Sequence, residues 1–170
     1  MAAEISAFPK RTAREADRDE HLVLDDYLPY RLSVASNAVS RLIARAYEDR
    51  FGLTIPQWRL IAVLAEDGAM APGALVARTA MDKVTISRAA QGLLRRRLVG
   101  RVAHEADGRS HRLSLTGEGT RLHAEIAPLA LAYEAALLSG LAPGEVAAVK
   151  LLLKRLEAAA IRLSGDTAAN

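Results

Sequence analysis

The hydrophobic period of this chain leaves the helical pattern in one place, and that interruption restricts the fold more than any other feature. As far as about residue 97, apolar side chains recur at steps of three and four, the period of an amphipathic helix. In Leu98–Ala103 and again in His111–Leu115 they alternate, the period of a strand. Between those runs lies Glu105-Ala-Asp-Gly-Arg-Ser110, a polar stretch with a glycine turn. Two short strands are not stable alone in water, so the hairpin must rest on the helices around it. The predicted fold class is mostly α with one small β-hairpin.

The helices can be placed by their caps. A stripe of Leu28, Leu32, Ala35, Val39, Leu42 and Ala46 predicts one long helix from about Leu24, with Pro29 in its first turn and Gly52 at its end. Thr54 caps a second helix that opens with Pro56 and Gln57 and points Trp58, Ile61, Ala62 and Leu64 inward. Asp67-Gly68 turns the chain, and Met70-Ala71 is a candidate for a minimal strand. Pro72 opens a short third helix to about Ala80. A fourth, about Lys83 to Arg97, has Val84 or Ile86 with Ala90, Leu93 and Leu94 as its inner face. After the hairpin, Thr116 caps a helix to about Gly140 with a kink expected at Pro128, and Pro143 opens the last helix.

The last helix carries Val146, Val149, Leu153, Leu156, Ala160 and Leu163 on one stripe and Leu151 and Leu152 off it. Apolar surface on more than one face needs a partner besides the chain's own core. The simplest partner is an identical chain on a two-fold axis, so a homodimer is expected. The predicted organisation is a flexible arm over 1–23, a helical dimerisation domain from 24–53 and 117–165, and a winged helix-turn-helix over 54–116.

Charge supports that division. The segment Lys83–Arg112 holds eight Lys/Arg and two acids, while the chain as a whole is only +3, so the remainder is net negative. A basic centre on an acidic chain suits a polyanion. The absence of Cys removes thiolate metal sites and disulfides. No apolar run is long enough for a membrane span and no secretory h-region opens the chain, so a cytoplasmic protein without membrane association is expected.

Three short helices followed directly by a hairpin form a winged helix-turn-helix pattern, whose last helix enters the major groove of double-stranded DNA by its N-terminal half. Here that half reads Met-Asp-Lys-Val-Thr-Ile-Ser-Arg-Ala-Ala-Gln91. Thr85, Ser87 and Arg88 are the first candidates for DNA contact, with Lys83 and Gln91 beside them; Arg bonds a guanine edge and the hydroxyls reach bases or phosphates. Asp82 would repel phosphate and is read as a cap. Arg95, Arg96 and Arg97 lie at the far end, where cations complement the helix dipole, and are not read as base contacts. At the hairpin tip, Arg109 is suited to the minor groove, with Asp107 orienting its guanidinium through paired hydrogen bonds.

These stretches resemble the MarR family of bacterial transcription regulators. The likeness runs from about Asp25 to Leu163 and is carried most specifically by Asp-Gly-Arg-Ser-His-Arg-Leu-Ser-Leu-Thr-Gly-Glu-Gly, residues 107–119, with support from 53–64 and 81–99. The resemblance implies a dimer with intertwined terminal helices, two winged lobes on a pseudo-palindromic operator, and repression released by a small ligand, an aromatic acid or an acyl thioester. It places Asp107 and Arg109 in the wing and Thr85, Ser87 and Arg88 on the recognition helix. Gly92 inside that helix departs from the pattern, as does Ala142 where a hydroxyl cap is usual.

An anionic effector needs a cation and a few polar donors. Tyr30, Arg31, Ser36 and Asn37 on the first helix and Trp58 and Arg59 on the second are the candidates, each with surface solvation or packing as the simpler role. His104, His111 and His123 show no tight ligand spacing, so neither a metal nor a cofactor is expected. No nucleophile–base set or phosphate-cradling loop suggests an enzyme. The competing reading is a helical interaction or ligand-carrier module that does not touch DNA.

Overall fold

The computed structural model describes residues 21–104 and 107–166, and at 104, 107–110, 165 and 166 the backbone only. Most of the expected arm, residues 1–20, lies outside the described residues. The elements are α1 (Leu28–Ala44), α2 (Glu48–Phe51), α3 (Ile55–Asp67), α4 (Pro72–Thr79), α5 (Lys83–Arg95), β1 (Val99–His104), β2 (Asp107–Leu115), α6 (Gly117–Leu138) and α7 (Pro143–Asp166). The chain divides into two compact units, Leu32–Leu137 and a terminal unit containing 21–31 and 138–166.

The central unit is built on α3, α4 and α5. Leu60, Ile61 and Leu64 of α3 meet Leu75 of α4 and Ile86, Ala89, Ala90 and Leu93 of α5, all buried. Leu98, Val99 and Leu113 bring the hairpin onto this cluster, and Ile126 brings α6. No polar or charged residue is buried among the described residues, so burial of apolar area is the main stabilising term here. The start of α3 is closed by a capping box: the Gln57 amide donates to Thr54 Oγ1 at 3.4 Å, and the Thr54 amide donates to Gln57 Oε1 at 3.0 Å.

Strands β1 and β2 pair antiparallel, with Val99 opposite Leu115 and Arg101 opposite Leu113. Met70 adds an isolated bridge to Leu113, with amide–carbonyl distances of 2.9 and 2.8 Å, and is the only part of the expected minimal strand to pair. The connection is tighter than the six-residue turn expected from sequence. Asp107–Ser110 belong to β2, and His104 pairs with Asp107 across a register irregularity at Ala103/His104. The register passes from Ala103 opposite His111 directly to His104 opposite Asp107, so among the described residues Gly108, Arg109 and Ser110 have no partner on β1.

The first helix also differs from the sequence expectation. It begins at Leu28, preceded by a turn at 24–26, and it does not run unbroken to Gly52. After Ala44 the amides of Arg45, Ala46 and Tyr47 bond three residues back, a tightened turn, and α2 follows. The break sinks Tyr47 into the core, where its ring stacks on Trp58 at 5.5 Å, and buries Leu53 beyond the left-handed Gly52. A straight helix carries each side chain to a place set by its 100° step, so aromatic burial decides here against the uniform stripe.

The fourth helix stops at Arg95, not Arg97, in a Schellman motif. Leu98 N–H donates to Leu93 O and Arg97 N–H donates to Leu94 O, each at 3.0 Å, while Arg97 takes a left-handed φ of 57°. Of the two alternatives for the inner face, Ile86 is buried and Val84 is exposed. Helix α6 runs continuously through Pro128. In the terminal unit, α7 lacks a hydroxyl cap, and only the reciprocal half of a capping box is made: Glu145 accepts from the Ala142 amide at 2.7 Å. Leu151, Leu152, Ile161 and Leu163 of α7 are all more than half exposed. No single helix among the described residues is long and apolar enough to cross a membrane.

Candidate nucleic-acid interface

Helix α5 starts at a firm cap. One Asp82 carboxylate oxygen accepts the Thr85 amide at 2.8 Å and the other accepts the Thr85 hydroxyl at 2.7 Å. These two bonds, the amide first, hold the Asp82 carboxyl below the ordinary carboxylate range. Asp82 is thus the cap expected from sequence. Thr85, by contrast, is not a free donor, because its proton is committed to Asp82 and only oxygen lone pairs face outward.

Beyond the cap, α5 has two distinct faces. Ile86, Ala89, Ala90 and Leu93 are buried against α3 and α4. Ser87, Arg88 and Gln91 are exposed on the opposite stripe, with Lys83 exposed in the first turn. Gln91 Nε2 donates to Ser87 Oγ across one turn at 3.5 Å, a long bond that leaves both groups available. Four of the five candidates on this helix therefore present free polar groups on its accessible side.

The hairpin supplies a second surface. Its alternation puts Arg101, His111 and Leu113 on one face. That face, with Pro72 and Val76 of α4 and Lys83, Ser87 and Gln91 of α5, lines a cleft of about 500 Å³. The floor is apolar, and Lys83 and Arg101 contribute cationic side chains. Arg101 and His111 were not among the residues expected from sequence. The period-two pattern contains the signal, since both lie an even number of residues from buried Leu113 or its partner, but the direction of that face depends on where α5 sits. The Asp107 and Arg109 side chains lie outside the described residues; their backbones belong to β2.

The arginine cluster ending α5 has an internal role. Arg96 Nη1 donates to the Gly52 carbonyl at 2.9 Å and Nη2 to the Phe51 carbonyl at 2.7 Å. The guanidinium thereby satisfies orphan carbonyls at the C-terminus of α2, where its charge also suits the dipole. Thr116 makes the parallel connection from α6. Its hydroxyl donates to Arg97 O at 2.7 Å, its amide to Leu98 O at 3.1 Å, and its oxygen accepts from the Gly119 amide at 3.1 Å. The recognition helix is consequently tied at its far end to both flanking segments.

The effector candidates divide between the units. Tyr30 and Arg31 are exposed in the terminal unit, where Arg31 pairs with Asp25 at 3.4 Å. Ser36 and Asn37 are exposed on α1. Trp58 is half-buried, stacked between Tyr47 and His123 with centroids 5.5 and 5.6 Å away, so its principal contacts are packing. Arg59 is exposed and donates to Ser40 Oγ at 3.3 Å. Among the described residues no cluster of three or more His, Asp or Glu is placed to hold a metal ion.

A polar, cationic helix face seated on two supporting helices and flanked by a hairpin defines a winged helix-turn-helix DNA-binding lobe. Residues 51–110 match the model of the MarR family. The MarR family transcriptional regulator SPO1453 from Silicibacter pomeroyi DSS-3 is similar in structure, with 31% identity and a TM-score of 0.70 over 82% of this chain and 98% of that one. The PcaV transcriptional regulator of Streptomyces coelicolor, solved with its natural ligand, has 25% identity and a TM-score of 0.72 over 82% and 98%. BpsR of Bordetella bronchiseptica, whose DNA binding is regulated by 6-hydroxynicotinic acid, has 26% identity and a TM-score of 0.69 over 76% and 98%. No curated protein matches the chain. The chain belongs to the MarR family: it is a DNA-binding transcriptional regulator and not an enzyme.

Proposed function

We propose that this regulator is a cytoplasmic homodimeric repressor that reads a pseudo-palindromic operator and is released by a small ligand. The carrying observation is the two-faced α5: a wholly buried inner stripe fixes the helix, and Ser87, Arg88 and Gln91 project from its outer side. Arg88 suits a guanine edge, Ser87 and Gln91 suit base edges or phosphate, and Lys83 suits phosphate. Thr85 acts mainly by holding the cap. Arg101 and His111 lie beside the path of a DNA strand that passes between α5 and the hairpin. Arg109, oriented by Asp107, enters the adjacent minor groove.

Dimerisation is supported by α7. Leu151, Leu152, Val149, Leu153 and Ile161 expose apolar surface around more than one face, which a second copy would cover. In this reading 24–53 and 117–165 form the dimerisation domain and 54–116 the reading lobe. The ligand is supported by PcaV, solved with its natural ligand, and by BpsR, whose regulation by 6-hydroxynicotinic acid favours a compact aromatic acid over an acyl thioester. Within the central unit Arg59 is the candidate counter-charge, with Ser36 and Asn37 as polar partners and Trp58 as a wall; Tyr30 and Arg31 are the candidates of the terminal unit taken by itself.

The test is a titration of the protein against its own upstream DNA and a scrambled duplex. Selective binding that weakens steeply with salt is expected, because neutralised phosphates release counterions. Arg88→Ala and Arg109→Ala should each weaken selective binding by about 1–3 kcal/mol while the dimer persists. Equal affinity for both duplexes would instead favour a helical carrier or interaction module.

A further inference from the structure

One exposed residue of α5 has no role in the fold and none among the contacts assigned above. Val84 is 57% exposed, whereas the other large apolar residues of that helix, Ile86 and Leu93, are 2% and 0% exposed and Leu94 is half-buried. Its position is not incidental to the reading surface. Val84, Ser87, Arg88 and Gln91 follow the i, i+3, i+4, i+7 spacing of a single helix face. Val84 is thus the apolar first member of the stripe whose other three members are polar, and it lies in the turn that enters a major groove first.

Its geometry is fixed from both sides. The Asp82–Thr85 cap, with bonds of 2.8 and 2.7 Å, sets the backbone of the first turn around it. The β-branched side chain has one strongly preferred χ1 in a helix. Together these make Val84 a stiff apolar probe, unlike the mobile Lys83 next to it. A valine in this place contributes nothing through propensity, since Ala or Lys would favour the helix more. In the free protein its exposed area makes no favourable contact.

Major-groove edges present one apolar group, the thymine 5-methyl; guanine, cytosine and adenine offer only donors and acceptors there. We infer that Val84 packs against a thymine methyl in each operator half-site, making it a specificity-determining residue beside the hydrogen-bonding Ser87, Arg88 and Gln91. The inference rests on the DNA-reading role of α5. It deepens that role by fixing one base type and the group on it that is read.

The experiment compares the protein's own upstream duplex made with thymidine against the same duplex made with deoxyuridine, which lacks only the methyl. Wild type and Val84→Ala are titrated on both, with a scrambled duplex as reference. Uracil should weaken wild-type binding about fourfold per half-site, the worth of one buried methyl group, or about fifteenfold for two half-sites. Val84→Ala should lose that sensitivity, binding both duplexes about as wild type binds the uracil one, and circular dichroism should show it folded because the residue is exposed. An identical thymine-to-uracil ratio in the two proteins overturns the methyl contact while leaving selective DNA binding intact. Failure of wild type to prefer its upstream duplex over the scrambled one overturns the DNA reading and this inference with it.

Discussion

Replacing Gly119 by alanine tests how the recognition helix is anchored. Gly119 is buried in the first turn of α6, and its amide donates to Thr116 Oγ1. A methyl group at this position would overlap the Leu98 carbonyl oxygen, and would stand 3.0 Å from the Leu98 carbonyl carbon and 3.2 Å from Leu115 Cδ2. A carbon atom needs about 3.3 Å from a carbonyl oxygen, so α6 would have to retreat by about 1 Å or more. The obstacle is backbone, and it cannot rotate away as a side-chain end would. Retreat strains the three Thr116 bonds, to Arg97 O, Leu98 O and the Gly119 amide, without breaking them all, for a combined loss of about 2 kcal/mol. Better helix propensity returns about 1 kcal/mol. Overpacking of a tight site adds about 1–3 kcal/mol, so the net loss is about 2–4 kcal/mol. Urea unfolding followed by circular dichroism, at one fixed protein concentration, should show a midpoint about 1–2 M lower, given a slope of about 2 kcal/mol per M. Gly117→Ala is the control: nothing lies within 4 Å of a methyl there, and its midpoint should not fall. If the two variants unfold within about 0.5 kcal/mol of each other, the close approach of α6 to Leu98 is not what requires glycine.

Other expectations follow from single features. Ala80 closes α4 with a left-handed φ of 53°, a conformation costing a non-glycine residue about 1 kcal/mol, so Ala80→Gly should raise the urea midpoint; an unchanged or lower one refutes the strain. Arg96→Ala removes both donors to the Phe51 and Gly52 carbonyls and should cost about 1–2 kcal/mol, while Arg95→Ala should change stability by less than about 0.5; equal effects would show that the clamp contributes nothing. Burial, then the neighbouring Glu48 charge, pushes the Tyr47 phenol up to about 12 against a partial opposing effect of Arg59. A raised pKa favours the neutral phenol in the folded state, so this contribution is complete below about pH 10 and is lost as pH climbs from there through about 12. Tyr47→Phe should therefore lose less stability than wild type between pH 9 and 11 in parallel unfolding titrations; parallel losses would remove Tyr47 as the cause.

The expected caps and turns mostly needed only neighbouring residues. Thr54 with Gln57, Asp82 before Lys83, Pro72 and Pro143 at helix starts and Gly52 at a helix end each act within about four residues, so their spacing in the chain already contains their physics. The change of period at Leu98 likewise announced a hairpin, and the clustered Lys and Arg announced a polyanion partner. Where the linear reading went astray, a distant partner decided. The first helix breaks because Tyr47 meets Trp58, and α5 stops at Arg95 because Leu98 returns to Leu93.

The candidate site divides in the same way. The shared exposed face of Ser87, Arg88 and Gln91 is legible because one helix carries them at helical spacing. Sequence presents Thr85 as a donor, but its bond to Asp82 depends on the rotamer and not on residue type. Arg101 and His111 are not legible in that way, because the cleft they line exists only after the hairpin folds back beside α4 and α5. By its own letters, then, the chain determined its local elements, its basic centre and the polar outer stripe of α5, since helix caps and amphipathic periods are short-range interactions. Tertiary packing alone decided which carbonyls Arg96 holds, why Gly119 admits no side chain and why Val84 remains outside the core, because each depends on contact between segments brought together only by burial of the apolar core.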